Sequence, residues 1–155
     1  MERGEKAAEL FAEGYNCAQA VFLAYADKMG VDRDTAARLS SSFGGGMGCL
    51  REVCGAVSGM FMVAGVLYGY DDPKATVEKK AHYQRIQELA AKFKEENGSI
   101  VCRELLGLDG GAGRSTPELR TAEYYKKRPC KELVRMAADL LEAYTQEWDE
   151  KDGDK

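Results

Sequence analysis

Five cysteines, Cys17, Cys49, Cys54, Cys102 and Cys130, are the residues of this chain best suited to chemistry. A thiolate attacks disulfides, is oxidised to a sulfenic acid and ligates metals, so ionisation decides which cysteine reacts. Three of the five fall in the first turn of a predicted helix: Asn16 is expected to cap the helix that starts at Cys17, Ser99 to cap one whose third residue is Cys102, and Pro129 to lead into Cys130. Cys54 follows a glycine run within about two helical turns. The partial positive charge of a helix start, with Arg51, Arg103, Arg128 and Lys131 nearby, predicts that these sulfurs ionise readily. Helical spacing also aligns Cys17 with Ala20, Val21 and Ala24, Cys102 with Leu105 and Leu106, and Cys130 with Leu133, Val134 and Ala137, so the thiols are expected to point inward. The competing role for each is that of a small buried hydrophobe.

Metal ligation is the nearest chemical alternative. Only Cys49 and Cys54 approach the close pairing of a structural zinc site, so zinc-ribbon and zinc-finger patterns fail. Ligands contributed one per helix by Cys17, Cys54, Cys102 and Cys130 could still converge on an iron–sulfur cluster or another metal. His82 is the lone histidine and reads as a half-buried boundary residue; neither covalent haem attachment nor an inward Glu-x-x-His metal motif is present. The run "FGGGMG" at 43–48 offers Gly44, Gly45 and Gly46 as weak cofactor-binding candidates, since successive glycines can aim backbone N–H groups at an anion. It lacks both a following Gly-Lys-Ser/Thr and a preceding strand, so a tight turn between packed helices is the stronger expectation. Gly55 and Gly59, four apart, predict a close helix crossing, and could also admit a cofactor or a partner thiol to Cys54.

The elements that must position these residues are all helical by pattern. Apolar residues recur every three or four positions, and Val, Ile and Thr are sparse, which predicts an all-α, single-domain helical bundle. Helices are expected over residues 6–29 with a break at Gly14 to Asn16, from Asp32 or Asp34 through "DRDTAARLSSSF", over 51–70, over 73–97, through "IVCRELLG" after Ser99, over 116–125 and over 129–148. The long helix at 73–97 is expected to bury Ile86, Leu89, Ala90 and Phe93, and the last helix Leu133, Ala137, Leu140, Leu141, Tyr144 and Trp148. Residues 107–116 form the one flexible loop, a candidate lid, and residues 149–155 read as a frayed tail of a domain spanning 1–155.

Residues 53–70 carry no charge, close to the shortest membrane-spanning length. Glycines within the run and mixed-charge flanks favour instead a buried, Gly-rich apolar central helix wrapped by amphipathic partners, so the protein is not expected to be integral to a membrane. Net charge is -4 with basic and acidic residues interspersed, so no footprint for nucleic acid appears. The charged start "MERGEKAAELFAEG" is unlike a secretory signal, which predicts a cytoplasmic protein, a reducing compartment and thiols without a structural disulfide framework.

The segments "GYNCAQAVF" at 14–22, "FGGGMG" at 43–48 and "CGAVSG" at 54–59, followed by Cys102 before Glu-Leu-Leu and by Cys130, resemble the C-GCAxxG-C-C family over about residues 10–142. The resemblance implies that Cys17, Cys54, Cys102 and Cys130 are the four hallmark cysteines and that Gly55, Ala56 and Gly59 belong to the core motif. It implies a bacterial or archaeal protein of a redox-active family, some of whose members are selenoproteins and many of which are encoded near transporters. Cys49 is extra to the four, and Val53 stands where the family name places a glycine. For Cys49 to resolve Cys54, a kink or loop at Cys49 is required, because positions five apart on a helix face differently. The functions in view are thiol/disulfide or electron-transfer chemistry with a redox partner protein or a small-molecule thiol or disulfide and no obligatory cofactor, a metal or iron–sulfur binding module, and a transporter-associated interaction protein with structural cysteines.

Overall fold

The computed structural model describes residues 2–107 and 129–153, with the side chains of 148–153 left aside. The expected loop at 107–116 and helix at 116–125 lie outside the described residues, apart from Gly107. Helices follow in the order α1 (Arg3–Ala12), α2 (Cys17–Leu23), α3 (Ala26–Met29), α4 (Arg33–Ser41), α5 (Gly44–Met47), α6 (Gly55–Tyr68), α7 (Thr76–Asn97), α8 (Cys102–Leu105) and α9 (Cys130–Gly153). Among the described residues the only β pairing is a single antiparallel bridge between Val53 and Val101. The fold is all-α.

Local chemistry explains the boundaries. Gly14 takes φ +117 after α1. Asn16 then starts α2 with a reciprocal cap: its Oδ1 accepts the Gln19 N–H at 2.9 Å, and Gln19 Oε1 accepts the Asn16 N–H at 3.0 Å. Asp32 caps α4 by accepting the Thr35 N–H at 3.0 Å. Gly98, in the left-handed region, closes α7 by donating to the Lys94 carbonyl at 2.6 Å.

The core is built by α1, α2, α6 and α9. α1 lies along α9, and α2 packs on α6 with α4 and α9 against it. Helix α6 is central, as its composition predicts, and buries Gly55 to Met60 together with Val63 and Ala64. Its second half reaches the surface, where Val66 is 43% exposed, while α2 buries Ala18 and every residue from Ala20 to Leu23 completely. The interior therefore centres on an α2–α6 pair. Small residues at the crossing let these helices approach: a methyl added at Gly59 would lie 2.7 Å from the Ala18 carbonyl oxygen. The buried Tyr25 hydroxyl donates to the Ala138 carbonyl at 2.7 Å, tying the end of α2 to α9. Helix α9 buries Leu133, Val134, Ala137, Ala138, Leu141 and Tyr144 with Leu140 at its edge, while Trp148, also expected on this stripe, lies outside the described side chains.

Candidate functional site

Four of the helices deliver their first residues to one region. Cys17 is the first residue of α2, Cys102 of α8 and Cys130 of α9, while Cys54 is the N-cap of α6. None of the five cysteines is in a disulfide. The Cys17 and Cys130 thiols share a hydrogen bond, and Cys17 also lies within electrostatic range of Cys54 and Cys102. Cys54 in turn interacts with Cys130 and Cys102. Side chains separated by 113 positions in sequence thus form one thiol cluster, in which Cys54 and Cys102 are 5% and 7% exposed.

Two of these positions differ from expectation. Residues 51–53 are not helical: they lie against residues 100–103, joined by the Val53–Val101 bridge. The Cys54 N–H donates to the Ile100 carbonyl at 2.8 Å and the Cys102 N–H to the Glu52 carbonyl at 2.5 Å. Pairing of this kind places residues 52, 54, 100 and 102 on one face of the bridge, so Cys54 and Cys102 become diagonal neighbours. Cys102 is the first helical residue rather than the third, because Val101 takes the cap position. Ser99 acts from further out, its Oγ accepting the Val101 N–H at 2.9 Å and donating to the Glu104 carboxylate.

The glycine run turns the chain from α4 into this segment through a left-handed coil. Gly45, Gly46, Met47, Gly48 and Cys49 all have φ between 56 and 71, and Arg51 follows at 61. Left-handed backbone costs a non-glycine residue about 1–2 kcal/mol, so Met47, Cys49 and Arg51 are held there by their surroundings. Bonds from the Arg51 N–H to the Gly45 carbonyl (3.2 Å) and from the Glu52 N–H to the Gly46 carbonyl (2.9 Å) close the coil. Arg51 Nη1 then reaches the Cys102 sulfur at 3.7 Å. Beside Cys102, Cys49 and Cys130, the guanidinium is held above its ordinary pKa even though burial opposes its charge.

The family model described as "Putative redox-active protein (C_GCAxxG_C_C)" matches residues 15–144. The chain belongs to this family. No curated protein and no solved structure is significantly similar to it.

Cys17, Cys54, Cys102 and Cys130, the four that the resemblance implies as hallmark cysteines, come together from the starts of four different helices. The ionisation of Cys54 and Cys17 departs from the expectation of readily formed thiolates. Burial pushes the Cys54 thiol from 9.0 up to about 12, and the Ala56 and Val57 N–H groups at the start of α6 offset this only in part. The Cys17 thiol is raised well above 9.0 by its hydrogen bond to Cys130 and by burial. A helix terminus is worth about 0.3–1 kcal/mol, whereas full burial moves a pKa by up to about 3–5 units, so desolvation wins. Of the neighbouring cations, Arg51 meets Cys102 rather than Cys54, three positions after it in sequence. Arg103 pairs with Glu52 at 3.2 Å, Lys131 is exposed, and Arg128 lies outside the described residues.

The glycines of the run and of the family motif are filled from within. Added methyls would meet the Asn16 side chain at Gly44, Cys49 Sγ at Gly45, Cys102 Cβ at Gly46, Cys17 Cβ at Gly55 and the Ala18 carbonyl oxygen at Gly59. At Gly44, Gly45, Gly46, Gly55 and Gly59 the position a side chain would take holds protein atoms. These glycines bring the cysteine-bearing backbones together. Among the described residues no three His, Cys, Asp or Glu side chains are placed to hold a metal ion. None of the described helices is long and apolar enough to cross a membrane.

His82 is 9% exposed and so more buried than a boundary residue. Its Nδ1 lies 2.9 Å from Arg85 Nη1, which also donates to the Tyr68 carbonyl at 3.3 Å. Burial, and then the Arg85 charge, lower its pKa, which fits a structural imidazole between α6 and α7. Cys49 does sit in a turn, as a resolving role would require, with its sulfur against Gly45. The residue that spacing alone misassigns is Arg51, whose thiol partner lies 51 positions away. Its one sequence signal is the β-branched trio Val53, Ile100 and Val101 in a chain otherwise poor in such residues.

Proposed function

We propose that this protein is a cytoplasmic thiol-based redox protein that exchanges two electrons at a time between its own dithiols and a disulfide, supplied by a partner protein or a small molecule. The observation that carries this reading is the meeting of Cys17, Cys54, Cys102 and Cys130, one from each of four helices, with Cys17 and Cys130 in hydrogen-bonding contact. A dithiol needs two sulfurs that can reach bonding geometry without unfolding the scaffold, and the packing of the helix starts through small residues supports this reading.

The raised pKa values of Cys17 and Cys54 suit thiols that stay reduced until an attacking thiolate is made locally. The C-GCAxxG-C-C family is described as redox-active, which supports the same class of chemistry. The test is a thiol count on the folded chain during titration with diamide. Five titratable thiols are expected to fall to three and then to one, in steps of two. Five thiols that persist in folded protein under excess oxidant refute the reading.

A further inference from the structure

Within the thiol cluster, the cation and the sulfurs are unevenly matched. Arg51 Nη1 donates to Cys102 Sγ at 3.7 Å, and Arg51 Nε is buried with no hydrogen-bond partner. The adjacent carboxylate, Glu52, is taken by Arg103 at 3.2 Å, so it does not neutralise Arg51. The Arg51 backbone is fixed from both sides: its N–H bonds the Gly45 carbonyl, and its own carbonyl accepts the Arg103 N–H at 3.2 Å and Arg103 Nη1 at 3.3 Å. Gly46 completes the arrangement, since a methyl there would lie 2.6 Å from Cys102 Cβ and 2.8 Å from Arg51 Cα. A strained left-handed arginine, locked to the segment that carries Cys102 and aimed at its sulfur, is costly unless its placement serves that sulfur.

We propose that Cys102 is the attacking thiol of the cluster, and that Arg51 is the positioning residue that holds its sulfur as a thiolate. This assignment rests on the dithiol reading above. A guanidinium donates to a thiolate with a charge-assisted hydrogen bond, and its charge persists at every working pH. Among the described residues, Glu52, Arg103, Cys17, Cys49, Cys54 and Cys130 are the other titratable groups around the pair.

The Cys102 thiolate attacks one sulfur of a small disulfide; the new Cys102–substrate S–S bond forms, the substrate S–S bond breaks, and the departing thiolate takes up a proton. Cys54, the diagonal neighbour across the Val53–Val101 bridge, loses its proton and attacks Cys102 sulfur, releasing the second substrate thiolate, which is protonated in turn. The substrate disulfide has gained two electrons and two protons, and Cys54–Cys102 is oxidised to a disulfide. A dithiol reductant reverses the step. With Cys102 only 7% exposed, the geometry favours a small disulfide over a bulky one.

The test is iodoacetamide labelling of the reduced, full-length chain across pH 6–10, read cysteine by cysteine by peptide mass spectrometry. In the wild type Cys102 is expected to label first, with a midpoint below the ~8.5 of an unperturbed thiol. Arg51→Met is expected to slow Cys102 about tenfold at pH 7, the equivalent of about one pH unit, without slowing Cys54. Arg51→Lys, which keeps the charge, should restore most of that rate, a rescue that a purely structural arginine would not show.

Unchanged Cys102 labelling in folded Arg51→Met, or no rescue by Arg51→Lys, overturns the assignment. If Arg51→Met does not fold, the wild-type profile decides alone: a Cys102 midpoint above ~8.5, or a second cysteine labelling before it, contradicts the proposal. A negative result here with thiols still lost in pairs to diamide defeats only the Cys102–Arg51 assignment; persistence of all five thiols defeats the dithiol reading itself.

Discussion

Replacing Gly59 by alanine probes the close approach on which the cluster depends. The added methyl would lie 2.7 Å from the Ala18 carbonyl oxygen, 3.0 Å from Val21 Cβ and 3.3 Å from Ala18 Cα. Ala18 and Val21 are fully buried, and the nearest atom is backbone, so relief requires α2 to move as a body. Overpacking of this kind costs about 1–3 kcal/mol, at the upper end when backbone must shift, while alanine regains about 1 kcal/mol of helix propensity. The net loss is about 1–2 kcal/mol, or about 3–8 °C in Tm for a domain of this size. Gly65 on the same helix is the control, because nothing lies within 4 Å of its added methyl. Gly65→Ala should therefore stabilise by about 0.5–1 kcal/mol. Thermal and urea denaturation of both variants under reducing conditions provide the assay. If Gly59→Ala is neutral or stabilising, or both variants shift Tm in the same direction, the argument for a tight α2–α6 crossing is wrong.

Two further outcomes follow from the same geometry. Asn16→Ala removes the cap of α2 and the bond from Asn16 Nδ2 to the Ser41 carbonyl at 3.0 Å, so urea denaturation should show a loss of about 1–2 kcal/mol. Cys54, whose folded pKa is raised from 9.0 to about 12, favours the folded state fully below pH 9; that contribution is lost as pH climbs from 9 towards 12, because the unfolded thiol ionises first. Stability measured across that range should fall with rising pH, and Cys54→Ala should flatten the fall.

Much of the scaffold was readable from residue patterns. The Asn16–Gln19 cap, the stop at Asn97 and Gly98, the uncharged central helix and the inward stripes behind Cys17 and Cys130 are local features, and local spacing encodes them. The meeting of the cysteines was legible only as a shared context, four helix starts, since no local rule says that distant helix starts coincide.

The left-handed coil at 45–49 shows in the sequence only as a tight turn, because glycine permits that conformation without requiring it. The Val53–Val101 bridge, and with it the partnership of Arg51 and Cys102, is absent from local pattern because pairing across about fifty residues leaves no periodic trace. Expecting thiolates at helix starts weighed a terminal dipole without the burial that the inward stripes themselves imply. Once the stripes are taken seriously, desolvation is the larger effect and raised pKa values follow.

The central claim is that Cys17, Cys54, Cys102 and Cys130 are redox partners of one another. Its most direct test is equilibration of the full-length chain in glutathione redox buffers of stepped potential, followed by differential alkylation that reports the oxidation state of each cysteine. The account predicts that these four titrate as two pairs, with pairwise identical midpoints and a native circular dichroism spectrum throughout, while Cys49 follows neither pair. Four hallmark cysteines that stay reduced across the series, or that oxidise only as the protein unfolds, would contradict it.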